Sequence, residues 1–459
     1  MPVLDVHYYS YFFKINLYII GDSFAGRTGG SMKKLVLAFS FLILGSNFIF
    51  GADSPEDQAE PIFLDYASSA TVCEEALQEF IRVSHLDGNS SGFNNHSKQL
   101  KEIEKKSAES IAKKLGCKSD QIIFTNSATT SNNIVILGFT DKNPECHLVV
   151  SSIEHPSAFN VFKHLEKKGH KVTYLKVDRY GRVNLKQLKD ILDKAQAEGK
   201  PSLVSIQFFN SDIGIKQDIN QISKIVHEHK NAFFHSDCAQ SFGKYDVDTE
   251  KIDFISISGY KIGAPMGIAA LYIKDDRARS SISPILFGGG DVLFPGSKPT
   301  ALIAAFGKAS ELYKVNLNRI TENFNALKSE LDDESDGFFV NSLEPSHVFS
   351  VSIAGVLLAD IRERLEKKYS FSSGCSCSKD EKFHIKDAID PEGKIPSCTL
   401  RISFSDGMPV AILKQFARDL KQAVYKLRSE KKVNENCEKS EKDRNELLHT
   451  FDLIKDEVQ

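Results

Sequence analysis

Two residues in the middle of the chain carry the clearest chemical signal. Within residues 231–274, NAFFHSDCAQSFGKYDVDTEKIDFISISGYKIGAPMGIAALYIK, the apolar run Ala232 to Phe234 ends in His235, Ser236 and Asp237. The run Ile252 to Ile257 ends in Ser258, Gly259, Tyr260 and Lys261. Both runs read as strands, so each delivers a charged group just past a strand's C-terminal end, the edge at which open α/β sheets bind ligands. An amine and a carboxylate in one pocket fit pyridoxal phosphate (PLP): the lysine joins the cofactor aldehyde, and the acid keeps the pyridine nitrogen protonated so that the ring accepts electrons. Asp and Lys are common, and the pair alone is a weak signal.

Three further stretches have chemically useful types at useful positions. The short strand Gln121 to Thr125 runs into the hydroxyl-rich turn Asn126 to Asn133 and a helical pattern. A helix N-terminus in that place offers backbone N–H groups and a dipole to an anion, although a simple Ser or Thr N-cap is the commoner meaning. The Gly-Ser-rich run Phe371 to Ser378 holds Cys375 and Cys377. A cysteine in such a loop is exposed and able to move, as a nucleophile must, and thiolate is its reactive form. The alternating run Ser397 to Ser405 turns Arg401 to one strand face, and the planar guanidinium fork suits a carboxylate.

The words HSDCAQSFGK and SISGYKIGAPMGIAALY closely resemble the cofactor-binding core of class V aminotransferase-fold enzymes, above all cysteine desulfurases of the iron–sulfur and nitrogen-fixation type. The resemblance covers roughly Ile62 to Arg428 and implies roles residue by residue. Lys261 carries PLP and Asp237 holds its pyridine nitrogen. His155, in Ile153-Glu154-His155-Pro156, stacks on the ring and moves protons. Asn210 and Gln240 donate to the ring's phenolic oxygen. Ala128 and Thr129, in the phosphate turn, bind the phosphate together with Ser258 and Tyr260. Cys377 is the nucleophile, with Cys375 where the family has serine. Arg401 anchors the amino-acid carboxylate, beside the small-residue loop of Ala67 and Ser68. No metal ligand set is implied, and Cys375-Ser376-Cys377 without a second cluster is a weak metal signal.

The chain also departs from the family pattern. Tyr260 stands where the family has histidine, Ser127 and Thr130 replace the phosphate turn's Gly and Glu, and Gly88-Asn89-Ser90-Ser91 before His96 lacks the usual proline. After Gly288-Gly289-Gly290 no arginine appears, and Ser297 or Thr300 is left to offer a hydroxyl to a neighbouring subunit's phosphate.

The elements needed to position these groups are readable from periodicity. Apolar residues recur at three and four from Lys98 to Leu115, with Gly116 as C-cap; helices follow over Ala301 to Val315, Arg319 to Leu331 and Pro409 to Arg428. The implied fold is α/β, PLP-dependent transferase fold type I, with a mostly parallel seven-stranded sheet and a smaller C-terminal α/β domain. The expected division is an N-terminal extension over 1–52, a large PLP-binding domain over 61–310 whose first segment contributes to the small domain, the small domain with the cysteine loop over 311–430, and a charged tail over 431–459.

Composition sets the remaining bounds. The 459 residues are 41% hydrophobic and 26% charged with net charge −3, ordinary for a globular protein and without the basic excess of a nucleic-acid binder. Eight cysteines, scattered except at 375 and 377, do not form a disulfide framework. Met32-Lys33-Lys34 followed by LVLAFSFLILGSNFIFGA has the form of a secretory signal ending at Ala52, with Met32 as an alternative initiator. That segment points to export or membrane anchoring, whereas the family is normally cytoplasmic. The resemblance implies a homodimer that converts L-cysteine to alanine, holds the sulfur as a persulfide and passes it to an acceptor such as an iron–sulfur scaffold protein. Another class V activity, selenocysteine lyase or aminotransferase, and a non-catalytic paralogue are the alternatives.

Overall fold

The computed structural model describes residues 60–373 and 384–431. Residues 1–52, both loop cysteines and most of the charged tail lie outside them.

Thirteen strands are described: β1 (Ile62–Phe63), β2 (Ile122–Thr125), β3 (His147–Ser151), β4 (Lys171–Leu175), β5 (Ser202–Ser205), β6 (Ala232–Asp237), β7 (Phe254–Ser258), β8 (Ala269–Ile273), β9 (Phe338–Val340), β10 (Val348–Ile353), β11 (Tyr369–Ser370), β12 (Ser372–Ser373) and β13 (Cys398–Ser403). Seven form one sheet in the order β2-β8-β7-β6-β5-β3-β4. Only β8 runs against the others, since both its neighbours pair with it antiparallel while the remaining pairs are parallel. The expected mostly parallel seven-stranded sheet is therefore present. β3, β5, β6, β7 and β8 are buried at every position, as expected for strands covered on both faces, and the polar residues they carry are mainly serines and histidines.

The order of the strands places the ligand edge. After β3 the chain goes outward to β4 and then returns to the other side of β3 as β5, so the connections leaving β3 and β5 diverge and leave a crevice beyond their C-terminal ends. Two boundaries differ from the sequence reading: β6 runs on past Phe234 to Asp237, and β7 past Ile257 to Ser258. Their backbones continue the ladder, Asp237 opposite Ser256 and Ser258 opposite Ala269, whatever their side chains prefer.

The helices follow local signals. Asn95–Leu115 opens on the Asn94 side chain, which accepts from Ser97 N, and buries Leu100, Ala108, Ile111 and Leu115. It closes on Gly116 at φ 78°, a left-handed C-cap that other residues reach only at a cost. The helices Thr300–Leu312, Leu317–Leu331 and 410–431 end within three residues of the bounds that periodicity predicts.

A second, antiparallel sheet has the order β12-β13-β10-β9. Its apolar face joins Leu400, Ile402, Phe349 and Val351 to Phe324, Phe416 and Leu420 of the helices covering it. Phe324 meets Phe349 edge-on at 5.3 Å between ring centres. β1 pairs in parallel with β11, and Asp65 bridges to Ser403, so the start of the described chain is stitched to its C-terminal third.

Candidate active site

A cavity of about 270 Å³ opens at the C-terminal edge of the large sheet and is bounded on the other side by Arg401 of β13. Its wall brings together Ala67, Ser68, Ala128, Thr129, His155, Asp237, Gln240, Ser258, Tyr260, Lys261 and Arg401 from the set predicted by sequence. Asn210 is absent from that wall. Its amide oxygen accepts from Asp212 N and Ile213 N in its own turn, and its amide nitrogen donates across to Ile153 O, in the loop after β3, at 2.9 Å. Cys377 and Cys375 lie outside the described residues.

Lys261 sits in the tight turn Gly259–Ile262 directly after β7. A side chain at Gly259 would place its first carbon 3.0 Å from the Phe306 ring and 3.1 Å from Ala264 Cβ, so glycine lets the turn that carries Lys261 pack down without displacing those neighbours. The Lys261 amine donates to Ala67 O at 2.5 Å and Ser68 O at 2.8 Å. Burial, and after it the Arg401 charge, lowers its pKa to about 8, against the pull of Asp65, Asp237 and Asp212. The neutral, nucleophilic amine is thereby accessible near neutral pH. Behind it, buried Lys244 donates to Lys261 O at 2.9 Å, its own pKa lowered by burial to about 7.

Asp237 is buried and fixed from two directions. Its Oδ1 accepts from Ala239 N at 2.9 Å, and its Oδ2 accepts from Asn132 Nδ2 at 2.8 Å. Asn132 also donates to Ser157 Oγ at 2.9 Å. The helix Ala128–Lys142 begins at the cavity with Ser127 as N-cap, whose hydroxyl accepts from Thr130 N at 3.1 Å. Ser127 is thus an ordinary cap, and that does not compete with anion binding: it takes the third N–H of the first turn and leaves those of Ala128 and Thr129 at the cavity wall.

His155 caps the helix Pro156–Lys167, its Nδ1 accepting from Ser157 N at 3.1 Å and lying 2.8 Å from Ser157 Oγ. The ring opens to the cavity yet has protein around most of it, and this desolvation lowers its pKa, with Asp237 opposing. Gln240 donates to Ala67 O at 2.7 Å. Its oxygen lies 3.4 Å from the ring nitrogen of buried His347, which stacks on Phe209 at 4.7 Å.

Arg401 is the least expected part of the site. Alternation along β13 sends Leu400 and Ile402 into the core and Arg401 to the cavity. There it already has anionic partners: Nη2 meets Asp65 Oδ1 at 2.7 Å, and Nη1 reaches Asp212 Oδ1 and Ser211 O, each at 3.4 Å. Its Nε is buried without a partner among the described residues. Burial raises the Asp212 pKa to about 6 although Arg401 opposes it.

Sequence reading missed Asn132, Asp65, Asp212, Ala239, His347 and His384. Asn132 alone left a trace, a polar residue on the buried side of an otherwise apolar helix. Asp65, Asp212, His347 and His384 act through contacts between distant parts of the chain, and Ala239 through its backbone N–H, which any residue type offers. His384 lines the cavity just after the undescribed cysteine segment, stacks on Phe159 at 4.3 Å and is held through Nε2 at Glu154 O, 3.0 Å away. Of the two hydroxyls left open for a neighbouring phosphate, Thr300 donates to buried Glu104 at 2.7 Å, and Ser297 accepts from Asn89 at 3.3 Å. Among the described residues, no group of three or more His, Cys, Asp or Glu is placed to hold a metal ion, and no helix is long and apolar enough to cross a membrane.

The donor set fits PLP: two helix-terminal N–H groups with nearby hydroxyls for a phosphate, a buried and doubly fixed carboxylate for a pyridinium, an imidazole at the wall and an amine of lowered pKa. Comparison with known proteins agrees. A model of the family Aminotransferase class-V matches residues 62–411. Cysteine desulfurase IscS of Ehrlichia chaffeensis is 37% identical over 262 residues, 55% of this chain and 62% of the relative. The chain spans less than two thirds of the length of the curated relatives it matches first. Among solved structures, a NifS-like protein from Rickettsia africae superposes with a TM-score of 0.69 at 24% identity, over 80% of this chain and 99% of its own. "SspA in complex with cysteine" gives a TM-score of 0.64 at 28% identity, over 75% and 99%. The fold is that expected of type I PLP-dependent enzymes.

Proposed function

The chain belongs to the aminotransferase class-V family, whose members depend on PLP, and on that premise we propose that it is a cysteine desulfurase. In this reading L-cysteine loses its sulfur to Cys377: the substrate's C–S bond breaks, an S–S bond forms, and the products are L-alanine and a Cys377 persulfide. Bound PLP supplies an electron sink that labilises bonds at the substrate's α and β carbons. Lys261 would carry it, with Asp237 at the pyridine nitrogen and the Ala128, Thr129, Ser258 and Tyr260 groups at the phosphate.

The protein's own groups then have defined tasks. Lys261, neutral in part at pH 7, accepts and returns protons at the substrate's α carbon. Asn132 and Ala239 N hold Asp237 so that its charge is pre-aimed. His155 holds or moves a proton beside the reacting atoms. Arg401, with Ala67 and Ser68 beside it, takes the α-carboxylate. The single observation that carries the reading is the convergence of Lys261, Asp237, His155, Arg401 and a free helix N-terminus on one cavity. The role given to Cys377 is supported by the described residues on either side of its segment: Ser373, paired with Leu400 next to Arg401, precedes it, and His384 at the cavity wall follows it.

A homodimer is part of the proposal. Phe93, Met266, Phe287 and Val292 are exposed at 65% or more, and the Asn89–Ser297 bond joins the loops that carry Phe93 and Val292. So is delivery of the sulfur to an acceptor such as an iron–sulfur scaffold, and so is division into a large part over 61–310 and a small part over 311–430, which follows the two sheets. The decisive experiment supplies the purified protein with PLP and L-cysteine and measures alanine and protein persulfide. Equal amounts of both in a single turnover are expected. Failure to bind PLP, or binding without alanine release, would reject the reading.

A further inference from the structure

We propose that Asp212 is a specificity-determining residue that competes with the substrate's α-carboxylate for Arg401 and, together with Asp65, excludes amino acids whose side chain carries a second negative charge. The inference rests on the function proposed above and goes beyond it by naming what the site must give up to bind substrate. Arg401 is not an empty anchor. One end of its fork is held tightly by Asp65, at 2.7 Å from Nη2. The other end is held loosely: Nη1 has only Asp212 Oδ1 and Ser211 O, both at 3.4 Å, the outer limit of a hydrogen bond. Asp212 lines the cavity, and its side chain keeps 11% exposure, half of what the Asp65 side chain has at 20%.

An arriving carboxylate therefore meets a guanidinium whose weaker side is the replaceable one. Asp212 is displaced, and Asp65 stays as the brace that keeps the fork in plane. The same count of charges sets selectivity. Lysine and arginine occur at the described cavity wall only as Lys261 and Arg401. The first is committed to the cofactor and the second to the α-carboxylate, against the carboxylates of Asp65, Asp212 and Asp237. A neutral thiol side chain meets no penalty there, whereas a sulfinate or carboxylate side chain has no lysine or arginine left to pair with and desolvates at a cost.

The groups facing Asp212 are Arg401 from β13, Lys261 from the turn after β7, and Asp65 after β1. Between pH 5.5 and 7.5 the competitor that changes is Asp212, whose pKa burial raises to about 6, while that of Lys261 is lowered only to about 8. Protonating it releases Arg401, and ligand binding tightens as pH falls.

The test uses the PLP-loaded full-length protein and measures L-alanine binding by calorimetry, alongside KM and kcat for L-cysteine and L-cysteine sulfinate. At pH 7.5 Asp212→Asn should tighten L-alanine binding and lower KM for cysteine by roughly five- to tenfold, with kcat within about twofold, as fits one weak charge-assisted contact. It should gain more on the sulfinate than on cysteine. At pH 5.5 the wild type should approach the variant. Asp65→Asn should act in the opposite sense and weaken binding, because Arg401 then turns wholly to Asp212. If Asp212→Asn does not fold, Asp212→Ser is measured in the same way. Unchanged or weaker binding in the Asp212 variants, or equal loss in the Asp65 and Asp212 variants, overturns the proposal. A wild type that binds neither L-alanine nor L-cysteine overturns the desulfurase reading instead.

Discussion

The amine of Lys261 gives the sharpest quantitative handle on the site. Its pKa is lowered from 10.5 to about 8, first by burial and then by the Arg401 charge, while Asp65, Asp237 and Asp212 pull the other way. With a lowered pKa the charged form is disfavoured, so the reactive free amine appears on raising pH through about 8 rather than through 10.5. At pH 7 the neutral fraction is then about 9% against about 0.03% for an ordinary lysine, a gain of roughly 300-fold in reactive amine. Arg401→Met removes the second-largest cause and leaves the three carboxylates in place, so the Lys261 midpoint must move up and the reactive fraction at pH 7 must fall. Competitive labelling of the cofactor-free protein with trace acetic anhydride, read at Lys261 by mass spectrometry between pH 6 and 11, measures both midpoints. A wild-type midpoint near that of surface lysines, or an unchanged midpoint in Arg401→Met, would refute the electrostatic account of the cavity.

Three other outcomes follow from contacts already described. Asn132→Ala removes a buried donor to a carboxylate, a contact worth about 1.5–3 kcal/mol, so PLP should dissociate roughly 10- to 100-fold more readily; an unchanged dissociation constant would mean that Asn132 does not hold Asp237 in place. Gly259→Val forces a branched side chain against the Phe306 ring and Ala264, and overpacking of this kind costs about 1–3 kcal/mol; thermal unfolding should show it, and an unshifted melting temperature would show that the turn has slack. Cys377→Ser should retain PLP and its spectral response to cysteine but form no persulfide, while Cys375→Ser should be nearly silent; persulfide mapped to Cys375 would reverse the assignment of the two thiols.

The sequence made local chemistry visible and left long-range pairing hidden. Asp237 and Lys261 were readable because each closes an apolar run, and the turn at Ala128 and Thr129 was readable because a strand, a hydroxyl cluster and a helix stand side by side. Gly116 was readable as a cap for the same reason. Asn210 illustrates the limit. Its type and position suit a cofactor contact, but no window of sequence shows that its amide oxygen closes the turn after β5 and its amide nitrogen reaches Ile153 O, 57 residues away. Arg401 shows a different limit: its orientation followed from strand alternation, whereas its partners did not, because Asp65 is 336 residues away and Asp212 is 189. Such pairs depend on which strands lie side by side, and no window of sequence contains that information. The sequence reading ends the apolar run at Phe234 because the polar side chains of His235, Ser236 and Asp237 suggest an ending, while the backbone ladder with β7 runs on through all three.

The pairing of β1 with β11 and of Asp65 with Ser403 also fixes an order of events during synthesis. Residues 65–68 emerge early but cannot take their place until β13 has been made, because Ala67 N donates to Ser403 Oγ and Asp65 waits for Arg401. The interval is 336 residues, roughly 15–70 s at ordinary translation rates of about 5–20 residues per second. Throughout it the large sheet can form with Asp237, Lys261 and the phosphate turn in place but one wall missing. The nascent chain therefore passes through a state in which the cavity stands open on the side of Arg401, and the last of the described strands to leave the ribosome is the one that closes it.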